Sequence, residues 1–233
     1  MSSTSDYTFF ICSTLNSTYG SLSFEERYQD TIESLMILRT KFPDSLILFV
    51  DNSNIEVDPV WRSGIDVLVT EYYQLPHNLF SLIANEQKLK SASEANMMDA
   101  ALNRLQDRPY CKSKRIFKLS GRYRLSNEFD ITKYDDPMFD DKYAFVVQQY
   151  ASTYDNWKTQ RRVMRLETAL VSWSPSLTAE FRQMMGSVLW QCLTTDNCIE
   201  EALFQHVPHE KIVPLHQVHV EGRKAEDKEE MKS

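Results

Sequence analysis

The sequence predicts one α/β domain built on an open, mostly parallel sheet with helices on both faces. Three observations predict it. Tyr7 to Cys12 and Leu46 to Val50 are short runs that are apolar on consecutive residues, as strands buried on both faces must be. A segment of helical periodicity lies between them. Further along, the order strand, helix, strand, strand, helix, strand implies parallel pairing through right-handed crossovers.

Taken in order, Tyr7 to Cys12 opens into the polar loop Ser13-Thr14-Leu15-Asn16-Ser17. Ser23 and Glu26 form a capping box ahead of Tyr28, Ile32, Leu35 and Met36, and Phe42-Pro43 ends that helix. Leu46 to Val50 leads to Asp51-Asn52-Ser53, and Val67 to Thr70 is a third candidate strand. Helix is expected after Pro76, with a break near Ser91, where Ser91 and Glu94 offer a second capping box. Arg115 to Arg124, Tyr143 to Gln148 and Leu166 to Trp173 read as further strands. Helices from about Pro175 to Cys192 and Cys198 to His206, and a last strand near Ile212 to Val220, complete a domain of residues 1–222. The remainder, 223–233, is almost wholly charged and expected to be disordered.

At 233 residues, 42% hydrophobic and 25% charged, the composition is that of a soluble globular chain. No apolar run is long enough to span a bilayer, and the start lacks the basic and apolar regions of a secretory signal, so a cytoplasmic location is expected. Cys12, Cys111, Cys192 and Cys198 form no CxxC pair and read as reduced thiols. A net charge of −7 argues against broad nucleic-acid binding, which needs a basic face. With five glycines the chain holds no GxGxxG and no GxxxxGK[ST], and it carries no GxSxG and no HExxH. His206, His209, His216 and His219 crowd one segment, but Pro208 and Pro214 interrupt it and no cysteine pair supports a zinc site.

The most informative stretch is Arg115 to Leu125. On a continuous strand Lys118, Ser120, Arg122 and Arg124 share one face, with Phe117, Leu119, Tyr123 and Leu125 on the other. Either that face is the solvated side of an edge strand or it lines a wet cavity, and two arginines there suit a diphosphate. Gly121 permits close approach of a ligand or another backbone.

The order of Ile11-Cys12-Ser13-Thr14-Leu15-Asn16, Phe49-Val50-Asp51-Asn52-Ser53 and Lys90-Ser91-Ala92-Ser93-Glu94-Ala95-Asn96 ahead of that stretch resembles GT-A glycosyltransferases over nearly the whole chain to Gly222. The resemblance implies a GT-A-like, Rossmann-like domain that moves a sugar from a nucleotide-diphosphate donor, with a UDP or GDP base, to the hydroxyl of a glycan, protein or other acceptor. It implies donor binding by Thr14, Asn16, Asp51, Ser53 and Lys90, joined by Lys118, Ser120 and Arg124. Where the family carries DxD, this chain has Ser120-Gly121-Arg122. A divalent metal, manganese or magnesium, is therefore possible but not required, and Arg122, helped by Arg124 or Lys118, is the expected stabiliser of the leaving diphosphate. Cys198 to Leu203 looks like the segment holding the family's acidic residue near the acceptor, so Glu201 and Glu200 are the candidate bases of an inverting reaction. Asn197 with Glu200 equally fits a capping box. His219 is similar to the family's late histidine, which completes a metal site or touches the diphosphate. Arg161, Arg162 and Arg165 suit an anionic acceptor or a solvated face, and Tyr150, Tyr154 and Trp157 a sugar-stacking wall or plain packing. A non-catalytic nucleotide-sugar binder and a sugar nucleotidyltransferase are the alternative functions; the second needs a glycine-rich phosphate loop that is absent here.

Overall fold

The computed structural model describes residues 6–17, 21–76, 78–107, 109–151, 162–195, 197–223 and 230–232. Its centre is an eight-stranded sheet. Strand β1 (Tyr7–Ser13) lies between β2 (Leu46–Asp51) and β4 (Arg115–Ser120), parallel to both, and β3 (Glu71–Gln74) adds parallel to β2 at the edge. Beyond β4 the direction changes. β8 (Leu170–Trp173) runs antiparallel to β4, and β6 (Tyr143–Ala151) antiparallel to β8. β7 (Arg162–Leu166) pairs antiparallel with the second half of β6, and β9 (Ile212–Leu215) pairs parallel with its first half.

Strand alternation sorts the core into two layers. Phe10, Cys12, Leu48 and Val50 face helices α4 (Lys90–Leu105), α5 (Thr178–Thr194) and α6 (Ile199–His206), packing against Ala95, Met98, Phe181, Met185 and Ala202. Phe9, Ile11, Ile47 and Phe49 face α1 (Phe24–Lys41) and α2 (Pro59–Asp66) with Leu35, Leu38 and Ile65. No helix among the described residues is long and apolar enough to cross a membrane.

Helix α1 begins as its sequence requires: the Glu26 amide donates to Ser23 Oγ at 3.2 Å and the Ser23 amide to Glu26 Oε2 at 2.8 Å. The other two expected boxes do not form. α4 starts after Leu89 and α6 after Cys198, neither with a side-chain cap, because Glu94 and Glu200 are drawn to tertiary partners described below. The expected strand at Val67 to Thr70 is the turn after α2, and pairing begins one residue later at Glu71. α2 itself carries a start signal, Asp58 accepting from the Val60 amide at 2.8 Å with Pro59 in the first turn.

The expected strand from Arg115 to Arg124 is two strands. The Gly121 amide donates to the Cys12 carbonyl at 2.7 Å, the chain turns at Gly121-Arg122, and β5 (Tyr123–Leu125) leaves to join a small antiparallel sheet with β10 (Val220–Arg223) and β11 (Glu230–Lys232). β11 falls inside the tail read as disordered, while residues 224–229 lie outside the described residues. The expected strand Leu166 to Trp173 is likewise broken at Glu167-Thr168-Ala169 between β7 and β8. A loop that interrupts two paired strands beside β4 brings its polar atoms to the end of β4, where the candidate site lies.

Candidate functional site at the carboxyl ends of the parallel strands

Register brings three strand ends together: Ser13 sits opposite Asp51, and Cys12 opposite Ser120. Gly121 presses against them, since a Cβ there would come within 2.8 Å of Ser13 Cβ and 2.9 Å of the Cys12 carbonyl. The first group of polar residues ties the loops after β1 and β2. Asp51 is fully buried; its Oδ1 accepts from the Leu15 amide (3.1 Å), the Ser53 amide (3.2 Å) and Ser53 Oγ (2.8 Å), and its Oδ2 from Tyr72 Oη (2.8 Å). Burial raises its carboxyl against these hydrogen bonds. Ser53 Oγ in turn accepts from the Asn16 amide at 2.8 Å. Asp51 and Ser53, expected to touch the donor, are thus spent on shaping the loop, while Thr14 and Asn16 are half-buried on its surface. Behind them Asn52 Nδ2 donates to Ser93 Oγ at 2.7 Å, and buried Asn96 keeps an amide Nδ2 that has no hydrogen-bond partner among the described residues.

The second group surrounds Lys118. Its ammonium is fully buried and donates to Glu94 Oε1 (2.6 Å), to Ser120 Oγ (2.8 Å) and to the Thr168 carbonyl. Thr168 Oγ1 donates to Glu200 Oε1 at 3.2 Å. Burial alone would lower the lysine, yet the Glu94 carboxylate more than offsets it and holds the ammonium raised; Glu94 is correspondingly held low, burial being outweighed by Lys118. Lys118, expected to bind donor, has three partners within the protein, Ser120 among them.

Arg122 and exposed Lys90 complete this group. Burial pushes the Tyr123 phenol up, while Arg122, Lys90 and Lys118 pull it down. Arg122 is half-buried. The site thus gathers Arg122, Lys90, Lys118, Ser120 and Glu200 from the sequence reading. It adds three residues that reading missed as site members: Thr168, Glu94 and Tyr123. Glu94 stood in the sequence only as a cap, Tyr123 only as an apolar-face residue, and nothing local marks Thr168.

Other expected members lie elsewhere. Arg124, carried onto β5 by the turn, pairs with Glu33 at 3.1 Å and Glu221 at 3.6 Å. Glu201 is buried and accepts from Arg165 Nε and Nη2 at 3.0 and 2.6 Å, so Arg165 serves this pair rather than an acceptor. His219, in a left-handed turn (φ 54°), offers its carbonyl to the Ser126 amide at the far end of β5. His206 contacts Gln191 and His209 the Phe204 carbonyl, so the histidine segment does not converge. Arg161, Tyr154 and Trp157 lie outside the described residues. The cysteines are free thiols.

Among the described residues no three His, Cys, Asp or Glu converge to hold an ion, and the turn after β4 presents Gly121-Arg122 following Ser120.

No family model and no curated protein matches the sequence. Solved structures do resemble the fold. The mannosyltransferase Ktr4p from S. cerevisiae superposes with TM-score 0.51 at 10% identity over 85% of this chain and 64% of that one. The galactosyltransferase LgtC, in complex with donor and acceptor sugar analogs, gives 0.51 at 8% identity over 89% and 72%. The bifunctional glycosyltransferase WbbM gives 0.50 at 7% identity over 91% and 39%. The chain therefore spans less than two thirds of the mannosyltransferase's length. What this chain shares with these structures is the fold, a mixed α/β architecture on a mostly parallel sheet flanked by helices.

Proposed function

We propose that the chain is a glycosyltransferase that moves a sugar from a nucleotide-diphosphate donor to an acceptor hydroxyl without a divalent metal. One observation supports the reading: Thr168 links Glu200 to Lys118 at the carboxyl end of β4, where open α/β sheets bind ligands, and Arg122 stands in the turn that directly follows that strand. The loops after β1 and β2, fixed by Asp51, hold the nucleoside, with Thr14 and Asn16 on the ligand side. Arg122, assisted by Lys90, neutralises the diphosphate as its bond to the anomeric carbon breaks. A guanidinium remains charged and forks onto phosphate oxygens, so it serves where relatives hold a cation. Glu200 accepts the proton of the acceptor hydroxyl as that oxygen attacks, with inversion. Glu200 is preferred to Glu201, whose carboxylate is committed to Arg165.

A second reading, a binder without turnover, is favoured by the serine, glycine and arginine that stand where acidic residues are usual. A thermal-shift panel of UDP- and GDP-sugars, with and without manganese, followed by chromatography for donor consumption, decides between them. Stabilisation by a nucleotide sugar independent of manganese, with turnover, supports the transferase. Stabilisation without turnover over an acceptor panel supports the binder, and no stabilisation by any nucleotide sugar removes both.

A further inference from the structure

Away from the strand ends, the C-terminal half of α5 and the end of α6 border an open groove of about 430 Å³ lined by Gly186, Ser187, Trp190, Gln191, Thr194 and His206. That volume is within the roughly 300–1,000 Å³ of small-molecule sites. Two features of it are not explained by folding. Trp190 leaves 65% of its surface exposed, although burying an indole is among the larger stabilising steps open to a helix. Gly186 sits in the interior of α5, where glycine costs about 0.5–1 kcal/mol relative to alanine. Its neighbours do not require it: a Cβ there would meet no atom within 4 Å. Helical side chains lean toward the preceding turn, so Trp190 leans over the turn that holds Gly186 and the open space lies beside its ring.

The rest of the lining is polar and bears no Asp, Glu, Lys or Arg. His206 Nε2 meets Gln191 Oε1 at 3.0 Å, and Gln191 Nε2 donates to Gln205 Oε1 at 2.8 Å. This chain of side chains fixes the amides and leaves donors and acceptors over for a ligand. A protein partner needs a contiguous apolar patch of a few hundred Å² or more, and here one indole stands alone. The groove is open and its lining surface is more apolar than polar. A flat apolar ring face beside fixed uncharged hydrogen-bonding groups matches a pyranose, which presents C–H groups on one face and hydroxyls around its edge.

We propose that this groove is a binding site for a neutral oligosaccharide, stacked on Trp190 over Gly186 and hydrogen-bonded by Gln191 and His206. It is separate from the transfer site, because Glu200 is in the first turn of α6 and His206 in the last, about 9 Å along the axis at 1.5 Å per residue. It does not rest on the transferase reading.

The test is a printed array of neutral glycans, with the strongest ligand then titrated by intrinsic tryptophan fluorescence. Saturable binding with a blue-shifted emission is expected. Trp190→Ala should weaken it at least about tenfold. Gly186→Gln should fill the groove and weaken binding equally while the chain unfolds at the same or a higher temperature, which separates a ligand role from a folding role. Glu200→Gln should leave binding unchanged, whatever becomes of transfer. Absence of neutral-glycan binding, or binding that persists in both groove variants, or selection of anionic glycans alone, overturns the proposal.

Discussion

Lys118 places its ammonium 2.6 Å from Glu94 Oε1 with no surface exposed to solvent. A buried charge of this kind is tolerable only while its partner is present, because water cannot substitute. Lys118→Met and Glu94→Gln should therefore each destabilise the fold by about 3–5 kcal/mol in urea unfolding. The double variant Lys118→Met with Glu94→Leu should cost less than either single change, since it leaves no unpaired charge. Equal or greater loss in the double variant would mean that the pair contributes through shape alone.

The same pair defines a pH window. Glu94 is held below its ordinary value of 4.5, so its contribution is full above that value and is lost as pH falls through the lowered one. Lys118 is held above its ordinary 10.5, so its contribution is full below that value and disappears as pH rises through the raised one. Thermal unfolding followed across pH should show a plateau bounded by these two falls. The double variant should flatten both ends.

Gly121 and Arg122 separate fold from function. Gly121→Ala forces a methyl to within 2.8 Å of Ser13 Cβ and 2.9 Å of backbone oxygen, and should cost about 1–3 kcal/mol by overpacking. Arg122→Ala should leave the unfolding temperature nearly unchanged and weaken nucleoside-diphosphate binding about tenfold or more, read by calorimetry. Arg124→Ala, which loses half-exposed ion pairs with Glu33 and Glu221 worth about 0–1 kcal/mol each, should leave that binding as it was. Equal effects of the two arginines on binding would refute the assignment.

Asp51 offers a comparison of replacements. Asp51→Ala strips the acceptor from the buried Leu15 and Ser53 amides at about 1–3 kcal/mol each. Asp51→Asn keeps one oxygen for them and lets the new amide donate to Tyr72 Oη, so it should cost much less. Differential scanning of the two variants measures this, and similar losses in both would show that charge, which burial already disfavours, is what the loop uses.

Much of the scaffold was legible in the residues because the signals were local. Two uninterrupted apolar runs marked β1 and β2, and the Ser23–Glu26 box marked α1, since each is decided by neighbours within a turn or a strand. The position of β3 was not legible. Val67 to Thr70 is as strand-like as Glu71 to Gln74, and the choice between them depends on register against β2. The break of β4 at Gly121 was equally hidden, because it is made by a hydrogen bond to Cys12 on another strand.

For the site, the sequence by itself determined which chemical groups are present: a basic stretch around Ser120-Gly121-Arg122, two adjacent glutamates opening a helix, and polar loops after two strands. Only the tertiary structure decided their employment. It gave Lys118 and Asp51 buried protein partners, paired Glu201 with Arg165 and Arg124 with Glu33, and joined Glu200 to Thr168. The reason is physical: a buried charge must take the nearest opposite charge or donor that the packed fold supplies, and that neighbour lies tens of residues away along the chain.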